Sequence, residues 1–338
     1  MSTFFSQLVA WQRHHGRHGL PWQGTRDPYR VWLSEVMLQQ TQVVTVLDYF
    51  ARFLQAFPTV ADLAAAEQDA VLALWSGLGY YSRARNLHRC AQQVVAQWGG
   101  QFPDNSTDLA SLPGIGPSTA AAIAAFCFGE RHSILDANVQ RVLSRLLAVE
   151  ADLANTKAVK VLWQQADALI PAEASADDMV SYTQGLMDLG ATVCTSRTAH
   201  CLLCPAQGEC VAHQQGRMLD YPVRTKKLKR TAENWHVLVV YSAQGVWLQR
   251  RPEQGVWAGL YCPPMFATED EALQALPAGA AVAFGEPFKH VLTHKDLYLH
   301  PIVVQQNQAP RVAGQWVQGW AELGLPAPMR KYLQDLGV

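Results

Sequence analysis

Four of the seven cysteines fall within one short stretch of the chain and could bind a metal together: Cys194, Cys201, Cys204 and Cys210. Six, two and five residues separate them in turn, which lets four thiolates close around one compact centre. Tetrahedral zinc more often joins two close pairs across a longer insert, whereas a cubane iron–sulfur cluster also takes four cysteines. The pattern therefore predicts a metal centre, leaves zinc and iron–sulfur both open, and favours the cluster. The other three cysteines stand alone and are predicted to be core residues: Cys90, Cys127 and Cys262.

Two carboxylates have the residue type that hydrolysis of a glycosidic bond requires. Asp27 and Pro28 predict the start of a helix, and Glu35 borders the apolar face of that helix. Desolvation there would raise the pKa of Glu35 and suit it to act as a general acid. Asp136 precedes a second helix. A solvated surface glutamate and an ordinary helix cap are the simpler interpretations, and the sequence alone does not place the two side by side.

A glycine-rich turn, LPGIG, lies between two helical stretches at Leu112–Gly116. Gly114 and Gly116 let the backbone turn tightly and approach another surface closely. The amides at the start of the next helix can then face a phosphate oxygen without reading the base sequence. A plain helix–helix turn is the alternative, but the full motif with helices on both sides favours DNA binding.

Helices must position these residues in the first two thirds of the chain. Apolar residues recur at helical spacing in Val43–Phe57, Leu87–Trp98, Ala120–Phe128, Val139–Val149 and Met179–Leu189. From Trp235 onward, the short runs HVLVVYS, GVWLQR, DLYLHPIVV and GQWVQGW predict strands. We therefore predict a mainly α domain over residues 1–220, a basic linker over 221–233 and a smaller α+β domain over 234–338. The cationic run in and beside this linker comprises Arg224, Lys226, Lys227, Lys229 and Arg230.

The composition of the 338 residues, 49% hydrophobic and 16% charged, is typical of a soluble globular protein. No apolar stretch has the length of a membrane span, and the first residues show no export signal. We therefore expect a cytoplasmic protein without a membrane partner. The net charge of −1 does not by itself indicate nucleic acid, although 20 of the 27 lysines and arginines precede residue 231.

Together these residues resemble the helix-hairpin-helix glycosylases of the endonuclease III superfamily, and within it the MutY family of adenine DNA glycosylases. The resemblance covers nearly the whole chain. Its most specific segments are LPW at Leu20–Trp22, WLSEVMLQQTQV at Trp32–Val43, GLGYYSRARNLH at Gly77–His88, LPGIGPSTA, ILDANVQRVL at Ile134–Leu143, MDLGATVC at Met187–Cys194 and the cysteine loop. The resemblance implies catalytic roles for Glu35 and Asp136, and it assigns the loop 194–210 to one [4Fe-4S] cluster.

The family's chemistry implies removal of adenine mispaired with 8-oxoguanine or guanine in double-stranded DNA, by a monomer that associates with the nucleoid. Glu35 would protonate a flipped-out adenine, and Asp136 would stabilise the sugar cation or trap it covalently. Relatives with lyase activity carry a lysine where this chain has Ser118, and serine cannot form a Schiff base. The resemblance therefore implies a monofunctional glycosylase. Asn138 would support the Asp136 region, although a simple residue at a helix start is the alternative.

Other DNA contacts follow from the same resemblance. Gln40 and Thr41 match a loop that enters the helix near the 8-oxoguanine, and Tyr80 matches an aromatic wedge in the base stack. Leu20 and Trp22 are expected to line the adenine pocket. Core positions are the alternative for Tyr80 and Trp22. Within the cysteine loop, Arg197 and His200 are candidate phosphate contacts or else ordinary solvated charges.

The C-terminal domain resembles the Nudix-like domain of the family, which inspects 8-oxoguanine. A Nudix hydrolase needs an acidic metal-binding run, and only Glu269, Asp270 and Glu271 stand together near it, so we expect recognition without hydrolysis. The family's Phe-Ser-His loop is here Leu292-Thr293-His294, which keeps a hydroxyl and the histidine but loses the ring. Ala137 replaces the usual glycine after the catalytic aspartate, so we expect the backbone there to avoid positive φ.

Three other functions are weaker alternatives. Ser118 and the second domain argue against a bifunctional endonuclease III-like enzyme for oxidised pyrimidines. Retention of Glu35 and Asp136 argues against a catalytically silent iron–sulfur protein that only binds DNA. The missing acidic run argues against a hydrolase of free nucleotides.

Overall fold

A computed structural model describes residues 3–225 and 229–338 of the chain. Two compact units are distinguished by their internal contacts. The first unit comprises Met1–Phe50, Thr59–Ala61 and Arg89–Lys227, and the second comprises Ala51–Pro58, Asp62–His88 and Leu228–Val338. Lys226 and Lys227 of the predicted cationic run lie outside the described residues.

The described residues form fourteen α-helices: α1 Thr3–His15, α2 Pro28–Leu38, α3 Val43–Ala56, α4 Val60–Ala65, α5 Gln68–Trp75, α6 Ser82–Trp98, α7 Ser106–Leu109, α8 Pro117–Ile123, α9 Ala137–Leu146, α10 Thr156–Ala168, α11 Ala176–Asp188, α12 Val211–Gln214, α13 Glu269–Gln274 and α14 Ala327–Leu336. All five segments predicted from apolar spacing are helical over most of their length; Phe57 and residues 147–149 lie beyond the ends of α3 and α9. Helices α8 and α11 each continue into a π-helical turn, at Ala124–Phe128 and Leu189–Val193. Such turns often lie at functional sites, and each of these leads toward residues of the candidate site. No helix among the described residues is both long and apolar enough to cross a membrane.

The core of the first unit forms where the apolar faces of α1, α9 and α11 meet. Leu8 and Tyr182 are fully buried in it, and the rings of Phe5 and Tyr182 stack with centroids 4.7 Å apart. Gly185 permits this packing, because a Cβ atom there would lie 3.0 Å from Cγ of Leu8. The core fixes the start of α9, where Asp136 lies, and the end of α11, from which the chain enters the cysteine loop.

The second unit contains an eight-stranded sheet, with strands β1 Thr231–Ser242, β2 Gly245–Arg250, β3 Tyr261–Cys262, β4 Met265–Phe266, β5 Ala283–Phe284, β6 Phe288–Val291, β7 Lys295–Gln305 and β8 Gln315–Val317. The main path runs β3-β2-β1-β7-β5, while β4 pairs with β1, β6 with β7 and β8 with β2. Strands β1 and β7 are parallel and all other pairs are antiparallel. Leu238, Val240 and Ile302 are buried on one face together with residues of α13. The four predicted strand runs are thus confirmed.

The predicted basic linker is three residues too long at its C-terminal end. Strand β1 begins at Thr231, and residues 231–233 pair with Lys295, Asp296 and Leu297 of β7. The sequence concealed this start because these residues have no apolar alternation, while the strand is held by backbone hydrogen bonds to its neighbour.

Candidate active site

A pocket of about 1500 Å³ in the first unit brings together side chains from four predicted motifs. The carboxylates Glu35 and Asp136 line it, although 100 residues of sequence separate them. The other predicted site residues on its wall are Leu20, Trp22, Gln40, Thr41, Ser118 and Asn138. The fold therefore assembles the candidate carboxylates and their neighbours into one cavity of a size that accepts a nucleobase.

Glu35 lies on α2, whose start is fixed as predicted. The Asp27 side chain accepts a hydrogen bond from the amide of Tyr29 at 2.9 Å, and Pro28 occupies the first turn. Burial, together with the smaller effect of the negative charge of Asp136, raises the pKa of Glu35 to about 8. The side chain keeps some exposed surface because it faces the pocket, but the dense protein around it controls the local dielectric. Glu35 is therefore mostly protonated at neutral pH.

Asp136 is the N-cap of α9 and is held in one orientation. Its Oδ1 accepts hydrogen bonds from the amides of Asn138 at 2.7 Å and Val139 at 2.8 Å. Both bonds use the same oxygen, so the cap leaves Oδ2 for other interactions. Ala137 lies in the first turn of α9 and is not among the residues with positive φ, which confirms the expected backbone.

Ser118 holds the segment before Asp136 in place. Its hydroxyl accepts a hydrogen bond of 3.0 Å from the amide of Leu135, a buried residue next to the aspartate. The site thus uses the serine hydroxyl to anchor the backbone that carries Asp136. The sequence indicated only that Ser118 cannot form the Schiff base that a lysine at this position would form.

The sequence did not single out Arg141 and Gly190, both of which contact Asn138. The guanidinium of Arg141 donates to Oδ1 of Asn138 at 3.0 Å, to the carbonyl of Gly190 at 2.7 Å and to the carbonyl of Cys194 at 2.9 Å. Gly190 lies so close that an added Cβ would be 3.0 Å from Cβ of Asn138. These contacts connect the start of α9 with the start of the cysteine loop. The available signal was a basic residue three positions after Asn138, about one helical turn further along α9.

The four clustered cysteines line a second cavity of the first unit. In the part of the chain that the structure describes, no three His, Cys, Asp or Glu side chains form a preformed site for a metal ion. The thiols instead surround a shared space together with Arg145. This guanidinium is 2% exposed, and it donates to Sγ of Cys194 at 3.3 Å and to the carbonyl of Thr195 at 2.7 Å. No carboxylate among the described residues pairs with it.

A buried cation without a carboxylate partner is costly unless an anion lies beside it. Four thiolates around an iron–sulfur cluster carry net negative charge and would neutralise Arg145. The donor set, all sulfur, also suits iron–sulfur chemistry. The residues present therefore fit a cluster. The three isolated cysteines, Cys90, Cys127 and Cys262, are buried as predicted.

The hairpin has the geometry expected of its glycines. Gly114 has a φ of +78°, which favours glycine, and Gly116 is the extended N-cap of α8 with open space where a side chain would be. Leu112 and Ile115 are buried and fix the turn from inside. Because a glycine cap offers no side-chain acceptor, the first amides of α8 remain available to an external anion.

Gln40 and Tyr80 share a strained backbone that the sequence did not reveal. Their φ angles are +56° and +49°, although neither is glycine. Such conformations cost about 1–2 kcal/mol and occur most often at functional sites. Tyr80 is 45% exposed, so the interpretation of a core tyrosine is wrong. Trp22, for which a core position was the alternative, is buried against the ring of Phe50 and also lines the pocket.

In the second unit, Tyr80 contacts the predicted recognition loop directly. Its hydroxyl and that of Thr293 are 2.5 Å apart, and either can donate the hydrogen bond. Arg83 holds the turn before Tyr80, since it donates to the carbonyls of Leu78 and Gly79 and lies over the Tyr80 ring.

The loop itself is the tip of the β6–β7 hairpin, where Leu292 donates to the carbonyl of Lys295 at 2.8 Å. Arg230 donates to the carbonyl of Thr293 at 2.8 Å, and the carbonyl of His294 accepts from Thr231. The side chains of Thr293 and His294 are exposed. The acidic run 269–271 of the same unit belongs to the start of α13, where Glu271 forms a capping box with Thr268.

Two family models match the chain. The model of the HhH-GPD superfamily of base excision DNA repair proteins matches residues 33–166, and the NUDIX domain model matches residues 236–335. Among solved structures, a thermostable thymine-DNA glycosylase is 26% identical with a TM-score of 0.56, and the match covers 63% of this chain and 95% of that one. An endonuclease III–DNA complex, 19% identical with a TM-score of 0.51 over 63% of this chain and 94% of that chain, shares the fold. These matches and the pocket define a helix-hairpin-helix DNA repair protein with a Nudix-like domain.

Similar sequences identify the family within this class. The adenine DNA glycosylase of Buchnera aphidicola subsp. Baizongia pistaciae is 33% identical over 99% of this chain and 97% of its own length. That of Rattus norvegicus is 42% identical over 66% of this chain and 44% of its own length. The chain belongs to the adenine DNA glycosylase family, and it is accordingly a DNA-binding hydrolase of base excision repair that cleaves an N-glycosidic bond.

Proposed function

We propose that this enzyme removes adenine paired with 8-oxoguanine or guanine, and that it does so as a monofunctional glycosylase. The observation that carries the proposal is a pair of carboxyl groups in one pocket with different environments. Glu35 is desolvated and has its pKa raised to about 8, whereas Asp136 is fixed by two amide hydrogen bonds at a helix start. This is the pairing of a general acid with a cation-stabilising carboxylate that glycoside hydrolysis uses.

The adenine must leave the base stack before it can react, so it is flipped into the pocket between Leu20 and Trp22. The carboxyl of Glu35, protonated at neutral pH, donates its proton to the base and makes it a better leaving group. As the glycosidic bond breaks, the sugar gains oxocarbenium character. Asp136 stabilises this cation, by charge or by a transient covalent bond, until water completes the hydrolysis. The backbone amide of Asn138 donates a hydrogen bond to Asp136, and the side chain of Asn138 is itself held by a hydrogen bond from Arg141.

With Ser118 at this position, the enzyme cannot carry out a lyase reaction. Its hydroxyl is occupied by the amide of Leu135, and a hydroxyl cannot form the Schiff base on which strand cleavage depends. We expect no covalent complex when the enzyme is treated with borohydride during turnover. A borohydride-trapped complex would instead indicate a bifunctional enzyme.

On the lesion side, the exposed Thr293 and His294 at the hairpin tip read 8-oxoguanine, and Tyr80 enters the base stack beside them. Gln40 and Thr41 contact the helix from the pocket rim of the first unit. The hairpin Gly114–Gly116 receives a backbone phosphate. The protein acts as a monomer, with the glycosylase domain in residues 1–220 and the recognition domain after the linker.

One [4Fe-4S] cluster, held by the four clustered cysteines, would act as a structural centre that orders the loop 194–210. Arg197 and His200 in this loop are then available to face DNA phosphate. Iron analysis and a visible absorption spectrum of the purified protein test the cluster. Bound zinc in place of iron would contradict it.

The decisive experiment measures single-turnover adenine release, followed by alkaline cleavage, on duplexes with A:8-oxoguanine, A:G and A:T pairs. We expect release from the two mispairs and none from A:T. Glu35→Gln should abolish release, while Glu173→Gln, at an exposed glutamate, should leave it unchanged. No release by the wild type from either mispair would overturn the proposal.

Recognition of the lesion is tested separately. Thr293→Val removes the hydroxyl that meets Tyr80 but keeps the side-chain shape, so it should reduce the preference for A:8-oxoguanine over A:G several-fold. Thr293→Ser, which keeps the hydroxyl, is the matched control and should retain the preference. An unchanged preference in the valine variant would remove Thr293 from the recognition surface.

A further inference from the structure

His213 lies on the wall of the cavity that the four clustered cysteines share. It belongs to the short helix α12, which begins directly after Cys210, and Gln207 lines the same cavity. His213 lies outside the sequence segments that carry the family resemblance, whereas Gln207 lies inside the cysteine loop. The position of His213 beside the cysteines is therefore a feature that the tertiary structure reveals.

The hydrogen bond between these two side chains fixes the proton of the imidazole. Nε2 of Gln207 lies 3.3 Å from Nε2 of His213, and an amide nitrogen can only donate. The Nε2 atom of the ring must therefore accept, which puts the proton of the neutral imidazole on Nδ1.

That Nδ1–H group is buried and has no acceptor among the described residues. A buried donor without a partner is unfavourable, so an acceptor beyond those that the polypeptide supplies would stabilise this group. The cavity beside the ring is the space that the proposed cluster occupies, and cluster sulfurs accept hydrogen bonds.

We propose that Nδ1–H of His213 donates a hydrogen bond to a sulfur of the iron–sulfur centre and thereby raises its reduction potential. The inference rests on the proposed cluster. Reduction adds one negative charge, much of which falls on the sulfurs, so a donor stabilises the reduced state more than the oxidised state. His213 is on this view a positioning and tuning residue that takes no part in glycosidic bond cleavage.

The test compares cluster potentials, measured by voltammetry of the holoenzyme on a DNA-modified electrode. His213→Phe keeps a planar ring without a donor, and it should make reduction about tenfold less favourable, which is about 59 mV for a one-electron couple. His213→Asn places an amide nitrogen near the position of Nδ1 and should restore most of the shift. His15→Phe, at an exposed histidine on α1, should leave the potential unchanged.

A second measurement uses the wild type alone and does not depend on a variant that binds its cluster. With ¹⁵N-labelled histidine, pulsed paramagnetic resonance of the reduced cluster should show one coupled histidine nitrogen and one exchangeable proton. An intact cluster with neither coupling, or with the same potential in wild type and His213→Phe, would overturn the inference. Purified protein without iron would overturn the proposed cluster itself and this inference with it, while the adenine-release assay still tests the catalytic proposal.

Discussion

Glu35→Gln should make the folded enzyme more stable and inactive at the same time, and the gain in stability should depend on pH. The rise in the pKa of Glu35 from 4.5 to about 8 corresponds to about 5 kcal/mol of preference for the neutral acid, at about 1.36 kcal/mol per pKa unit. Relaxation of the pocket and its water reduces such energies, so we expect a gain of about 2–5 kcal/mol.

The sign follows from which protonation state the fold favours. The folded pKa is raised, so the wild type is most stable relative to the glutamine variant below about pH 4.5, where both folded and unfolded chains carry the neutral acid. As pH rises to about 8, the unfolded chain gains stability by ionising while the folded carboxyl stays protonated. Glutamine cannot ionise, so its advantage grows over this interval and is constant above it.

The assay is reversible urea unfolding of both proteins between pH 5 and pH 9, with Glu173→Gln as a control whose difference from wild type stays near zero. In parallel, the single-turnover rate of the wild type should fall about tenfold per pH unit above about pH 8, because the proton donor is lost. A stability difference that does not change with pH would refute the argument that burial keeps Glu35 protonated. So would a rate that continues to rise above pH 8.

Three further predictions concern the residues around the carboxylates and the cysteines. Gly190→Ala should lower the glycosylase rate roughly tenfold with little change in DNA affinity, because the new Cβ would lie 3.0 Å from Cβ of Asn138 and displace it. Single-turnover kinetics measure the rate, and DNA titrations measure the affinity. An unchanged rate would show that Asn138 can move without affecting catalysis. Ser118→Ala should destabilise the protein by about 1–3 kcal/mol in urea unfolding, because the buried amide of Leu135 loses its acceptor, and a neutral result would mean that another group satisfies it. Arg145→Met should yield protein with a substoichiometric iron content, since the cation beside the cysteines is removed, whereas full iron occupancy would show that its charge is not required.

Some features of the candidate site could be predicted from the sequence, and others could not. The cap of α2 by Asp27 and the cap of α9 by Asp136 were predictable, because a helix cap involves groups only two or three residues apart. The left-handed backbone of Gln40 and Tyr80 was not, because nothing in the residue types requires it. A strained φ is maintained by packing around the turn, and this packing comes from distant parts of the chain.

The sequence by itself determined the local chemistry: the cysteine spacing, the glycine hairpin, the helix starts, the strand runs and the family to which the chain belongs. Each of these is encoded by residues that are close neighbours along the chain. Only the tertiary structure decided that Glu35 and Asp136 face one pocket, that Ser118 anchors the segment before the aspartate, and that Arg145 lies buried beside Cys194. The physical reason is that burial and electrostatic environment are sums over all surrounding atoms. The pKa of a carboxyl or the need of a guanidinium for an anion therefore exists only once the core has closed around it.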